Sequence, residues 1–108
     1  MAPRRANPKR EPAWLPFDDY TKADVLAIRA LQSGTANEVQ QQRALDLIIR
    51  GLAGTYELSF RSDADGGDRD TAFAEGRRHV GLALVKMLHM PSTAVEALPE
   101  ARERHDLR

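Results

Sequence analysis

The stretch DTAFAEGRRHVGLALVKMLH, residues 70–89, decides the fold class of this chain. Its apolar residues recur at the spacing of one face of a helix. The predicted buried stripe comprises Phe73, Val80, Leu84, Met87 and Leu88. Asp70 or Thr71 is the expected N-cap, and the helix is expected to end near His89 because a proline follows shortly after it. The stretch therefore predicts a long amphipathic helix.

Two glycines, Gly76 and Gly81, interrupt this predicted helix. Each costs up to about 1 kcal/mol of helix stability relative to alanine. The sequence therefore predicts either a close approach of another helix or a local break at these glycines, and it favours a packing reason over a functional one.

Upstream of this helix, the pattern predicts two more helices. Thr21-Lys22-Ala23-Asp24 has the form of a capping box, and apolar residues then recur at helical spacing until Ser33-Gly34. Thr35-Ala36-Asn37-Glu38 is interpreted as a second capping box that opens a helix over about 36–52. A continuation of that helix to Tyr56 is preferred over a strand, because a lone strand would have no partner. The apolar face of this second helix comprises Val39, Leu45, Ile48, Ile49 and Leu52.

Downstream, Thr93-Ala94-Val95-Glu96 has the form of a capping box and predicts a short helix that ends near Pro99. The predicted fold is all-α, a small helical domain of three main helices plus a short fourth, with an extended N-terminal arm. The expected organisation is a basic, proline-rich arm over 1–18, a helical domain over 19–99 and a charged tail over 100–108.

The arm carries an uneven share of the charge. The whole chain has sixteen basic and sixteen acidic residues and a formal net charge of zero. Residues 1–10 hold four basic residues and no acidic one, so the remaining residues sum to four negative charges. The predicted nucleic-acid-binding residues are Arg4, Arg5, Lys9 and Arg10, which can neutralise phosphates. Trp14 and Phe17 end the arm and are expected to pack against the core or a partner.

The composition excludes several classes of chemistry. The chain has no cysteine, which excludes disulfide scaffolds, thiolate zinc sites and cysteine nucleophiles.

The aspartates of residues 62–70 lack the spacing of an EF-hand, so a solvated turn is expected there. A helix-turn-helix is disfavoured because Gln40 and Arg43 fall where its second helix should be apolar. We expect no enzymatic activity, no catalytic residue, no cofactor and no metal site.

The most distinctive motif lies at residues 73–82, where Phe-x-Glu-Gly-Arg-Arg-x-Val-Gly-Leu follows an acidic loop and an amphipathic helix. It resembles the signature of a small tailed-bacteriophage protein family that was first labelled from a Bordetella podophage. The resemblance covers about residues 40–90. One interpretation of these residues is a surface charge cluster on an amphipathic helix. The other is that the small glycines let a partner backbone approach while the arginines bind its carboxylates or phosphates. The predicted partner-binding residues are Trp14, Phe17, Gly76, Arg77 and Arg78.

The resemblance implies a phage-encoded helical protein of the DNA-packaging or virion-assembly module. The favoured hypothesis is a small-terminase-like oligomer whose arm contacts DNA backbone without sequence preference. One alternative is a minor virion protein at the head–tail or ejection apparatus, and another is an early phage protein that inhibits a host enzyme. The expected partners are further copies of the chain or other phage proteins. The expected location is the host cytoplasm or the virion, without a membrane span.

Overall fold

A computed structural model describes residues 11–101. Within this range the chain is all-helical, without strands, as predicted. Its long elements are α1 (Lys22–Ser33), α2 (Glu38–Asp46) and α3 (Gly67–Leu88), and α4 (Ser92–Glu96) is short. A π-helical turn over Leu47–Leu52 continues α2, and a 3₁₀ turn over Asp63–Asp65 precedes α3.

Helix α1 begins and ends as its sequence predicts. The Thr21 side chain accepts a hydrogen bond from the Asp24 N–H, and the Asp24 carboxylate accepts one from the Thr21 N–H. At the other end Gly34 adopts φ 74°, in the left-handed region that glycine favours. The N–H of Thr35 then donates to the carbonyl of Ala30 at 2.9 Å, which closes the helix.

The predicted cap of α2 is wrong by two residues. Asn37, and not Thr35, is the N-cap, and its side chain exchanges hydrogen bonds with Gln40. The hydroxyl of Thr35 lies 2.8 Å from that of Ser33, so it is engaged at the end of α1. The side chain of Thr35 therefore contacts the end of α1 and does not cap α2.

The predicted continuation of α2 to Tyr56 is also wrong. The helix widens into the π-helical turn and ends at Leu52. Gly54 then takes φ 59°, which an L-residue rarely adopts. The hydroxyl of Thr55 donates to the carbonyl of Ile49 at 2.7 Å and terminates the helix there. Residues 57–62 form neither helix nor strand.

Helix α3 begins earlier than predicted, so neither Asp70 nor Thr71 is its N-cap. Gly66, with φ 105°, occupies that position. The N–H of Gly67 donates to the carbonyl of Ser62 at 2.8 Å across the 3₁₀ turn. Because these glycines reverse the chain, Asp70 lies inside the first turn of the helix.

Helix α4 forms where it was predicted, but without the expected capping box. Pro91 is its N-cap, and no side chain caps the helix. The carbonyl of Pro91 accepts a hydrogen bond from the N–H of Val95. The helix thus begins one residue before Thr93, which leaves the Thr93 hydroxyl out of position.

The core is small and consists largely of alanine. Helix α1 packs against α2, and α3 packs against the π-helical turn. Ala27 and Ala44 are fully buried in α1 and α2. The buried hydrophobic residues among those described are Ala13, Ala27, Ala44, Ile49, Ala53 and Ala74. The small side chains allow the helices to approach closely, but they bury little apolar surface.

The predicted buried stripe of α3 is wrong for most of its members. Leu84 is half-buried, whereas the other four residues are exposed. Val80 has 57% of its surface exposed and Met87 has 59%. In α2 and its π-helical extension Ile49 is buried, while Val39 and Leu52 are exposed.

Within the part of the chain that the structure describes, no helix is long and apolar enough to cross a membrane.

Candidate assembly surface

The segment before α1 is attached to α3 through its backbone at Ala13. This residue is buried, and its N–H donates to Oδ2 of Asp70 at 2.9 Å. Its carbonyl lies 3.5 Å from a guanidinium nitrogen of Arg77, which donates to it. Asp70 and Arg77 lie two turns apart on one face of α3. Two charged side chains of the helix therefore hold both backbone polar groups of a single residue, Ala13.

Asp70 is also one half of a buried ion pair. Its Oδ2 lies 3.3 Å from Nε of Arg61, and the two side chains are 5% and 8% exposed. Arg61 further donates to the carbonyl of Leu58 at 3.0 Å, and its backbone exchanges hydrogen bonds with the hydroxyl of Thr71. This cluster joins three segments, namely the arm, the loop before α3 and α3 itself. The sequence pattern assigned Asp70 to a helix cap and missed this role.

The structure places Arg77 and Arg78 partly inside the chain. Both are half-buried. Arg77 donates to Ala13, and Nε of Arg78 donates to the carbonyl of Thr55 at 3.0 Å. Each guanidinium group thus supports the backbone of a neighbouring segment. Partner binding by these two arginines stays a prediction.

Trp14 and Phe17 have different surroundings at the end of the arm. Trp14 is 61% exposed, whereas Phe17 is half-buried. The Phe17 ring packs on Gly51, where an added Cβ would lie 2.8 Å from Cζ of the ring. Trp14 lines a cavity of about 520 Å³ together with Pro12, Asp65, Gly66, Arg69, Asp70 and Phe73. One aromatic residue therefore anchors the arm, and the other is accessible.

The remaining sequence-predicted residues divide into two groups. Arg4, Arg5, Lys9 and Arg10 lie outside the described residues. Gly76 is exposed, and an added Cβ there would meet nothing within 4 Å. Gly81 is buried, and an added Cβ would overlap the Thr55 hydroxyl and lie 2.9 Å from Cβ of Ala53. The predicted close approach is therefore present at Gly81 and absent at Gly76.

A second, more open groove runs along α1 and α2 and carries charges of both signs. Its volume is about 630 Å³. Arg43 pairs with Asp24 at 3.0 Å, and Arg50 pairs with Asp46 at 2.8 Å while it stacks over the Tyr56 ring. The Thr21 backbone N–H, followed by the Arg43 side chain, lowers the pKa of Asp24. Among residues 11–101 no group of three or more His, Asp or Glu side chains could hold a metal ion.

Large apolar side chains remain on the surface of the described chain in unusual number. They are Trp14, Leu15, Tyr20, Leu26, Leu31, Val39, Leu52, Tyr56, Leu58, Phe60, Phe73, Val80, Leu82, Met87, Leu88, Val95 and Leu98. Single exposed apolar residues are normal, but a small domain seldom leaves more than half of its large ones exposed and only one, here Ile49 among the described residues, buried. The sequence carries no direct signal for this exposure, because helical periodicity marks a face without saying what covers it.

The total surface shows the same excess. The chain exposes 9528 Å², whereas a compact monomer of 12.0 kDa exposes about 6000 Å². Suppose that every residue outside 11–101 had the full surface of an extended chain, about 3100 Å² in total. The described residues would still expose about 1200 Å² more than a compact domain of their size. A standard protein interface buries about 800 Å² per partner. The excess exposed surface of a single copy is therefore large enough to be covered by one such interface.

Compared with known proteins, the chain matches no family model, no curated protein and no solved structure.

Proposed function

We propose that this chain is a non-enzymatic bacteriophage protein that works as an oligomer in the DNA-packaging or head-assembly module, in a role like that of a small terminase subunit. The observation that carries the oligomeric part is the excess of exposed apolar surface around a core of alanines. Burial of apolar surface stabilises by about 25 cal/mol per Å². Association of copies therefore supplies the stabilisation that the small core lacks.

The basic arm is proposed to contact the DNA backbone. Ala13 is anchored on α3, so every copy in an assembly presents residues 1–10 from the same place on its helical body. Four cations on one arm bind DNA weakly and with strong salt dependence. Several arms on one oligomer act together, because the first contact raises the effective concentration of the others.

The phage setting is supported by the motif at residues 73–82, which resembles the signature of the small tailed-phage family. A second candidate function, a minor virion protein at the head–tail or ejection apparatus, is favoured by one observation. Trp14 and Phe73 are both exposed and line the same cavity of about 520 Å³. Such a site fits an apolar side chain of a neighbouring protein better than it fits a phosphate.

Light scattering and DNA binding together test the packaging proposal. The purified chain should form an oligomer and bind duplex DNA at low salt, with an affinity that falls steeply as salt is added. Alanine at Arg4, Arg5, Lys9 and Arg10 should abolish most of that binding without changing the oligomer. The matched control replaces four exposed basic residues of the helices, namely Lys22, Arg29, Arg69 and Lys86.

The control variant loses the same charge, so equal losses of DNA affinity in both variants would contradict a specific role of the arm. A chain that is monomeric at all concentrations and binds no DNA would overturn the proposal. Mass spectrometry of purified particles separates the two candidates, because a virion protein is present in them at fixed copy number. Stoichiometric capture of a host enzyme, with neither property, would instead support the inhibitor hypothesis.

A further inference from the structure

The exposed side of α3 carries a heptad stripe that the single chain leaves uncovered. Five positions alternate at spacings of three and four residues, which keeps them on one line along a helix. They are Phe73, Gly76, Val80, Ala83 and Met87. All five are exposed, and the three large side chains keep 47% to 59% of their surface accessible.

This stripe is centred on a different side of α3 from the face that packs on its own chain. The buried residues of α3 are Gly67, Asp70, Ala74 and Gly81, which lie more than a quarter turn around the helix from the centre line of the stripe. At its edge Phe73 borders the cavity next to Asp70, and Val80 borders Leu52 and Ala53. The two internal glycines show the difference. Gly81 is needed for the contact with Thr55, whereas Gly76 has open space where its side chain would be. Nothing within the described chain explains a glycine at position 76.

We propose that α3 pairs in antiparallel orientation with α3 of a second copy along this stripe. The inference rests on the oligomer of the proposed function and names the surface that forms it. The described residues together expose about 1200 Å² more than a compact domain of their size, and the stripe is one part of that excess. A standard interface buries roughly 800 Å² per partner, so the excess is of the size that one interface covers.

The sizes of the side chains select the antiparallel orientation. In that arrangement Gly76 faces Met87 of the second copy, and Val80 faces its Ala83, so each of these layers joins a larger side chain to a smaller one. Phe73 lies opposite Met90, just beyond the end of the partner helix. A parallel pair would place Gly76 on Gly76 and Met87 on Met87, which leaves a void in one layer and crowding in another. The opposed helix dipoles also favour the antiparallel pair.

Disulfide trapping tests the orientation, since the chain has no cysteine of its own. Gly76→Cys and Met87→Cys are prepared separately and then oxidised alone and as an equal mixture. In the antiparallel register, two copies of position 76 lie about 16 Å apart along the axis, beyond the Cα separation of up to ~7 Å that a disulfide spans. Each variant alone should stay uncrosslinked, and the mixture should form the 76–87 dimer. Crosslinking of each variant with itself, or no crosslink in the mixture, would overturn the proposal.

Sedimentation provides an independent test with a matched control. Val80→Glu places a charge in the centre of the stripe and should weaken dimerisation at least tenfold. Leu82→Glu changes an equally apolar, exposed residue on another side of α3 and should leave the dimer unchanged. Circular dichroism of both variants confirms that each retains its helices. Equal effects of the two substitutions on dimerisation would overturn the pairing.

The outcomes also separate this pairing from the proposed function. If the chain forms an oligomer that the α3 variants do not alter, the pairing is overturned and the proposed function stands. If α3 pairs as described but the four arm substitutions leave DNA affinity unchanged, the packaging function is overturned and the pairing stands.

Discussion

Gly81 and Thr55 are in contact through the backbone of one and the hydroxyl of the other, because that hydroxyl occupies the space where a side chain at position 81 would lie. The same hydroxyl donates to the carbonyl of Ile49 and ends the π-helical turn. Arg78, three residues before Gly81, donates to the carbonyl of Thr55. This junction holds α3 against the end of the preceding helix.

Gly81→Ala should therefore destabilise the protein, although alanine is the better helix former. The added methyl group forces Thr55 or Ala53 to move, and such overpacking costs about 1–3 kcal/mol. Gly76→Ala is the control, because the same change in open space should raise the free energy of unfolding by up to about 1 kcal/mol. Urea unfolding at concentrations where the chain is monomeric measures both. Equal values for the two variants would refute the role assigned to the junction.

Asp70→Ala should be among the most damaging single substitutions in the chain. It removes the acceptor of the Ala13 N–H and leaves the Arg61 guanidinium buried without its counter-charge. Breaking one half of a buried ion pair costs about 3–5 kcal/mol. Asp68→Ala, an exposed acid in the same turn, should cost less than about 1 kcal/mol.

The double variant Asp70→Ala with Arg61→Met tests the cause of that loss. If the unpaired guanidinium is responsible, the second substitution should recover part of the stability that the first one removed. A double variant less stable than Asp70→Ala alone would show that Arg61 stabilises the fold mainly through its bond to the Leu58 carbonyl. Thermal and urea unfolding of the three variants provide the comparison.

The cap of α1 should give the stability a specific dependence on pH. The Thr21 N–H and Arg43 hold the pKa of Asp24 below its ordinary value of 3.8. The ionised carboxylate thus stabilises the fold at pH values above 3.8, and this contribution disappears as the pH falls through the lowered pKa. The difference in the free energy of unfolding between the native chain and Asp24→Asn should be constant at pH values above 3.8. It should decrease as the pH falls through the lowered pKa of Asp24. A gap that stays the same as the pH is lowered from neutral into the acidic range would contradict this account.

Removal of the arm should separate its two roles. Deletion of residues 1–10 keeps the anchor at Ala13 and should change the free energy of unfolding by less than about 0.5 kcal/mol. Deletion of residues 1–17 also removes that anchor and the Phe17 ring on Gly51, and it leaves the Asp70 carboxylate short of a donor. We expect this deletion to lower the free energy of unfolding, measured in urea, by about 1–3 kcal/mol. If both deletions leave stability unchanged, the anchor contributes nothing to the fold.

Local signals in the sequence were sufficient for the existence of the helices and for both ends of α1. The Thr21–Asp24 capping box and Gly34 bound α1 because their effects depend only on neighbouring residues. The errors arose where a distant or competing hydrogen-bond partner determined the helix end or the role of the side chain. Thr35 was engaged by Ser33, and Thr55 ended α2 by its bond to Ile49. Asp70 met Ala13, which is 57 residues away in the sequence.

The sequence by itself determined the all-α class, because helical spacing, caps and glycine stops act over a few residues. It also marked an apolar face of α3 that includes Phe73, Val80 and Met87, but it did not show what packs against that face. Only the tertiary structure decided that alanines form the core and that Phe73, Val80 and Met87 face outward. The physical reason is that burial is a property of what packs against a face, and Gly81 takes α3 to Thr55 along a different side from the stripe.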